Sequence, residues 1–203
     1  AKVLPEKASQ AVKWTSLNSA VAPVSNGVVT GKKMGTTTIK ATASNGKSTT
    51  FTVTVLAESP SAHGAIIDIS RWNNVTNWSA LQKDVAFVIL RCGVTYSASH
   101  ARAGEMDIDA KFQAYASKCL SYGIPFGVYY YGMAQTAEQG RKEAEKAYEF
   151  ANKYNPLFYV YDAEEAVLTK ASIEAFGARL RELGVKKVGA YIAHHRYSKY
   201  KVN

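Results

Sequence analysis

The chain has 203 residues, 47% of them apolar and 11% aromatic, with a formal net charge of +9. That length holds one large or two modest domains with a real core, and the composition excludes a disordered chain. The longest apolar runs, such as 64–69 and 85–90, are far too short to span a bilayer, so no membrane insertion is expected. The charge is uneven: residues 1–60 hold seven Lys and two Glu, a net of +5, and residues 61–203 a net of +4. A basic chain suits an anionic partner such as an acidic cell wall, a lipid surface or a nucleic acid. Lys32-Lys33 and Lys186-Lys187 are pairs rather than patches and no nucleic-acid motif accompanies them, so no nucleic-acid partner is expected. Ala1, without a Met or an apolar leader after it, reads as a processing or cloning boundary.

Residues 1–56 are rich in Thr, Ser, Val and Gly. Alternating segments at 28–30, 37–41 and 50–55 read as strands, and Asn26-Gly27 and Asn45-Gly46 supply the positive φ that tight turns need. This is all-β, sandwich-like patterning. Residues 57–63 are small and polar, contain Pro60, and read as a linker.

From residue 64 the pattern becomes strand, helix, strand, helix. Strands are expected at 65–69, 86–92, 124–131, 157–162 and 187–193. The helices between them are amphipathic. One carries Ile108, Phe112, Tyr115, Ala116, Cys119 and Leu120 on one side and ends at Gly123. A second spans 137–154 with Ala144, Ala147, Tyr148 and Ala151 inward. A third presents Ile173, Phe176, Leu180 and Leu183 before Gly184 stops it. Alternating β and α units imply a mainly parallel sheet with right-handed crossovers, here five units, too few to close an eight-stranded barrel. Cys92 and Cys119 read as small buried hydrophobes rather than a disulfide.

The segment Phe158-Tyr159-Val160-Tyr161-Asp162-Ala163-Glu164 is an apolar strand that ends in two carboxylates spaced i, i+2. Side chains alternate along a strand, so Asp162 and Glu164 point the same way. At the C-terminal end of a barrel strand that direction is the mouth, where active sites sit. Two neighbouring acids in a partly apolar mouth cannot both ionise freely, so one pKa should rise. Glycosidic bond cleavage requires such a pair.

Both halves resemble known families. Residues 5–55, with Val12-Lys13-Trp14-Thr15-Ser16, Val24 to Gly31, Gly35-Thr36-Thr37-Thr38-Ile39 and Phe51-Thr52-Val53-Thr54-Val55, resemble a bacterial Ig-like domain of group 2 whose first strands are missing. The resemblance implies a spacer or adhesive module with a cell-surface or virion partner. Residues 64–198 resemble glycoside hydrolase family 25, the lysozymes that act as N-acetylmuramidases. The matching blocks are Gly64 to Trp72, Phe87 to Gly93, Gly123 to Tyr131 and Tyr161-Asp162-Ala163-Glu164. That family's barrel is irregular, with five β/α units followed by three strands, so by this resemblance the chain stops at Asn203 before the closing strands.

The resemblance assigns roles. Glu164 is the general acid/base, Asp162 the carboxylate that stabilises developing positive charge and orients the substrate's 2-acetamido group, and Asp68 a third acid of the site. Tyr129 lines the centre. Arg91 binds a substrate or site carboxylate, or else forms a structural salt bridge, and Tyr131, Trp72 and Trp78 are candidate sugar-stacking surfaces or core. A surface Glu opening the next loop is the other reading of Glu164, and N-capping that of Asp162 and Asp68. The histidines have no metal-ligand spacing, and neither metal nor organic cofactor is expected. The implied protein is a secreted, wall-associated or phage-borne enzyme acting on peptidoglycan glycan strands. The rival is a non-catalytic wall-binding or adhesion protein.

Overall fold

The structure, a computed structural model, describes residues 3–5, 7–55 and 64–200. The linker expected over 57–63 lies outside the described residues. The chain divides into two compact units, residues 1–57 and 58–203.

In the first unit β1 (Val12–Ser16), β2 (Val24–Ser25), β3 (Val28–Val29), β4 (Gly35–Ala43) and β5 (Ser48–Val55) follow in chain order. β4 lies between β1 and β5 in an antiparallel three-stranded sheet, and β2 pairs with β3. Asn26 (φ 49°) and Gly27 (φ 80°) join β2 to β3 in a two-residue turn, where both residues need the left-handed region. Gly27 also lies against the Trp14 indole, where an added Cβ would come within 3.3 Å of the ring. The apolar face of the sheet carries Trp14 with the buried Ile39 and Ala41. The opposite face carries Lys13, Thr15, Thr36, Thr38, Lys40, Thr42, Thr50, Thr52 and Thr54.

The second unit contains β6 (Ala65–Ile69), α1 (Trp78–Asp84), β7 (Val85–Thr95), β8 (Met106–Ile108), α2 (Phe112–Tyr122), β9 (Phe126–Tyr131), α3 (Ala137–Ala151), β10 (Tyr159–Ala163), α4 (Lys170–Glu182), β11 (Val188–Ile192) and α5 (Tyr197–Tyr200). Five strands form a parallel sheet in the order β6-β7-β9-β10-β11, and β8 adds antiparallel to the far end of β7. Each strand lies beside its predecessor in the chain, so right-handed crossovers deliver the helices to one face. On that face Val88, Leu90, Cys92, Val128, Tyr130, Tyr159 and Tyr161 are buried. The Phe176 ring of α4 stacks on Tyr161 at 4.2 Å and tilts toward Tyr130 at 6.3 Å. α3 and α4 start from capping boxes built on Thr136 with Gln139 and Thr169 with Ser172, each satisfying two backbone donors.

Two helix boundaries differ from the periodicity. Ile108 belongs to β8, not to the face of α2. β7 continues past a bulge at Cys92 to Thr95 and offers Gly93 as the partner of Ile108, while Asp109 turns the chain and α2 starts at Phe112. The helix expected to reach residue 154 ends at Ala151 and tightens into a 3-10 turn, Asn152–Tyr154, before Asn155 takes φ 51°. Cys92 and Cys119 are buried free thiols, and burial raises both pKa values.

The sheet's other face is closed from below by aromatic rings. Gly127 leaves room for the Phe158 ring, which meets Phe87 edge to face at 5.6 Å. A Cβ on Gly127 would fall 2.3 Å from Phe158 carbons. Gly127→Ala is therefore expected to lower stability by about 1–3 kcal/mol through overpacking, and Phe158→Leu in the same chain should restore part of the loss. Chemical denaturation of the parent and the two variants checks this, and an unchanged midpoint for Gly127→Ala would refute the tight floor.

Candidate active site

Parallel register carries the site residues upward in rows. Asp68 pairs with Ile89 and Ile89 with Gly127; Arg91 pairs with Tyr129 and Tyr129 with Val160; Tyr131 pairs with Asp162 and Asp162 with Tyr191. Residues paired across parallel strands share a face, so these rows rise from the aromatic floor to the strand ends. They open into a cavity of about 600 Å³. Seven of the eight residues singled out from the sequence, Asp68, Trp72, Arg91, Tyr129, Tyr131, Asp162 and Glu164, line it, joined by Ser70 and Tyr191, and Trp78 does not.

The three acids sit in different surroundings. Asp162 is 8% exposed, and its Oδ1 is buried without a hydrogen-bond partner. Burial above all, then the negative charges of Glu164, Asp68 and Glu165, push its pKa up to about 7 against the pull of Arg91. Asp68 is raised by desolvation, with the Tyr129 hydroxyl and Arg91 opposing the shift. Glu164 is exposed at the strand end. The rise expected for one acid of the pair falls on Asp162, the more enclosed of the two.

Arg91 is held by a residue the sequence reading left without a role. Its Nε donates to Oδ2 of Asp109 at 2.7 Å, and its Nη2 lies 2.7 Å from the same oxygen but off hydrogen-bond geometry. Asp109 is 2% exposed and also accepts from the backbone N–H groups of Arg71 at 3.1 Å and Lys111 at 3.0 Å. One buried carboxylate thus ties together the loop after β6, strand β7 and the approach to α2. Its partners lie 18 and 38 residues away in sequence, and only the Lys111 contact leaves a local trace.

Glu165 is a second residue that sequence alone leaves without a role. It is half-buried and accepts from the Tyr131 hydroxyl, while its backbone carbonyl accepts from Tyr200 at 3.1 Å. Trp72 is 76% exposed at the mouth, with the Arg71 guanidinium 4.6 Å from its ring centroid. Trp78 is core, packed edge-on to Tyr115 at 5.2 Å. Among the described residues no group of three or more His, Cys, Asp or Glu is arranged to hold a metal ion.

Carboxylates, an arginine and exposed aromatic rings at the open end of a β/α sheet define the class: an α/β domain with a polar cleft. Comparison with known proteins narrows the class. Residues 1–55 match the model of the bacterial Ig-like domain (group 2). The chain is similar in structure to a glycosyl hydrolase 25 of Streptococcus pneumoniae described as a virulence factor participating in host cell invasion. The TM-score is 0.61 at 25% identity, over 69% of this chain and 63% of that one. It is likewise similar to the catalytic domain of an endolysin from a bacteriophage of Listeria monocytogenes, at TM-score 0.58 and 25% identity, over 68% of each chain. A modular autolysin of Streptococcus pneumoniae, solved with a synthetic peptidoglycan ligand, shares the fold at TM-score 0.55 and 17% identity, over 89% of this chain and 46% of that one. The chain thus spans less than two thirds of the first of these structures. No curated protein matches the chain. An Ig-like β region followed by an α/β domain with a parallel sheet, similar in fold to glycosyl hydrolase 25 structures, is the architecture shown.

The titration of Asp162 has a consequence for stability. Its folded pKa of about 7 lies above the ordinary carboxylate value, so between those pH values the folded chain keeps a proton the unfolded chain has lost. The contribution of this carboxyl to stability is therefore full below about pH 4 and is lost as pH rises through about 7. Asp162→Asn removes this cost, and its stability relative to the parent should climb by a few kcal/mol between about pH 4 and about pH 8. Thermal unfolding across that range checks it; a flat difference would show that the carboxyl is not desolvated.

Proposed function

We propose that the chain is a peptidoglycan hydrolase that cleaves the β-1,4 bond between N-acetylmuramic acid and N-acetylglucosamine. The observation that carries this reading is the convergence of Asp68, Asp162 and Glu164 in one open cavity beside an exposed Trp72. Similarity to a glycosyl hydrolase 25 and to an endolysin catalytic domain supports it.

Glu164, at the accessible strand end, protonates the leaving glycosidic oxygen. The carbonyl oxygen of the substrate's own 2-acetamido group attacks the anomeric carbon as that bond breaks, giving a cyclic cation with retained geometry on hydrolysis. Asp162 orients the acetamido N–H and, once ionised, stabilises the positive charge; water then enters with Glu164 acting as base. Trp72 and Tyr131 offer flat apolar area to pyranose faces. Asp68 and the Tyr129 hydroxyl that donates to it form the wall facing the reacting sugar. Arg91, anchored by Asp109, keeps a positive charge beside Asp162 and Asp68, which limits how far their pKa values climb. Each role needs only side chains of this chain. As a wall hydrolase the protein works outside the cell or as a phage lysis factor, with the Ig-like unit contacting a surface or virion partner.

Glu164→Gln is expected to reduce clearing of purified Gram-positive walls by at least about a hundredfold, the scale of a lost general acid. Equal clearing by variant and parent would overturn the role of Glu164, and absence of clearing by the parent would favour a glycan-binding protein. Because the active form needs Asp162 ionised and Glu164 protonated, kcat/KM should follow a bell-shaped pH profile whose acid limb comes from the ionisation of Asp162. Asp162→Asn should lose that acid limb along with most of the activity. A pH profile on soluble glycan fragments reads both.

A further inference from the structure

The first unit has an electrostatic peculiarity that bond cleavage does not use. From Lys7 to Ala57 there is no Asp or Glu, while Lys7, Lys13, Lys32, Lys33, Lys40 and Lys47 all fall in that stretch. Every one of these six is exposed.

Two of them stand on the outward face of the β1-β4-β5 sheet. Lys40 pairs with Thr15, and Lys13 pairs with Thr42, so the two lysines are diagonal neighbours on adjacent strands. Such positions lie about 7–8 Å apart, close enough for like charges to repel. No carboxylate in the stretch relieves them. Around them the face presents hydroxyls in ladder rows: Thr38 opposite Thr52, and Thr36 opposite Thr54 with their oxygens 3.3 Å apart. The aromatic residues of the sheet, Trp14 and Phe51, belong to the other face.

We propose that this face binds a linear anionic polymer of phosphodiester-linked polyols. Phosphates placed over the Lys13–Lys40 diagonal cancel the repulsion between the two ammonium groups. The threonine rows match the repeating hydroxyls of a polyol, since each hydroxyl both donates and accepts. A ladder of paired strands suits an extended, flexible chain that lies along it. Nucleic acid fits less well, because the face has neither a ring for base stacking nor an element that enters a groove. The choice of a wall-type polymer rests on the reading of the second unit as a wall hydrolase; the charge and hydroxyl pattern does not.

The test is fluorescence anisotropy of labelled poly(glycerol phosphate) with the full 203-residue chain. The parent should bind, and more weakly as salt is raised. Lys13→Ala/Lys40→Ala should weaken binding by about tenfold to thirtyfold, whereas Lys32→Ala/Lys33→Ala, with the same loss of charge off the sheet, should weaken it by less than about threefold. All four lysines are exposed, so neither pair is expected to disturb folding, which circular dichroism verifies. No binding by the parent, or equal weakening by the two pairs, overturns the proposal. So does binding of single-stranded DNA of matched charge at least as tight as that of the polymer. The probe has no glycosidic bond, so failure of wall clearing and failure of this binding are separate results.

Discussion

A single buried ion pair organises the mouth of the second unit. Asp109, enclosed among β7, the loop after β6 and the approach to α2, accepts from Arg91, Arg71 and Lys111 and leaves the Arg91 side chain lining the cavity. A buried pair adds little net stability over an apolar replacement, but a lone buried charge is costly, about 3–5 kcal/mol when one partner is removed. The pair therefore acts as a positional lock. With Arg91 fixed, the positive charge nearest the site acids is fixed too, and the loop carrying Trp72 is tied to the same carboxylate through the Arg71 N–H.

The electrostatics of the cavity follow from that lock. Three acids and Glu165 crowd one rim, and a single arginine offsets them. Asp162, the most enclosed, absorbs the imbalance by holding its proton to about pH 7. Glu164 stays exposed at the strand end, and the difference between the two comes from depth, not from residue type. Strand alternation places both on one face and says nothing about which of them water reaches.

Much of this was legible in the sequence. The five parallel strands were marked by apolar runs with helical periods between them, because a β/α unit packs helices on one face and its strands become nearly continuous hydrophobic segments. The Asn-Gly turns of the first unit were legible for a local reason, the positive φ that few residues adopt. The acids of the site stood out because a charge at the end of an apolar strand has few structural uses. What escaped was non-local. Asp109 looks like any polar residue before a helix until Arg91, on a separate strand, is brought against it. Glu165 beside Glu164 reads as solvated until Tyr131 is seen to reach it. Ile108 fitted a helical stripe, and only the bulge at Cys92, which extends β7 to Thr95, offers it a strand partner.

The order of the parallel sheet has one further outcome. Among the described residues its path ends at β6 and β11, each five residues long. Unpaired strand edges recruit other strands, and short length with flanking charge blunts that tendency. β11 follows Lys186 and Lys187 directly, a charged gatekeeper of the kind that keeps chains apart. β6 has no such flank and exposes Ile66 at 59%. By these criteria β6 is the less protected of the two edges among the described residues.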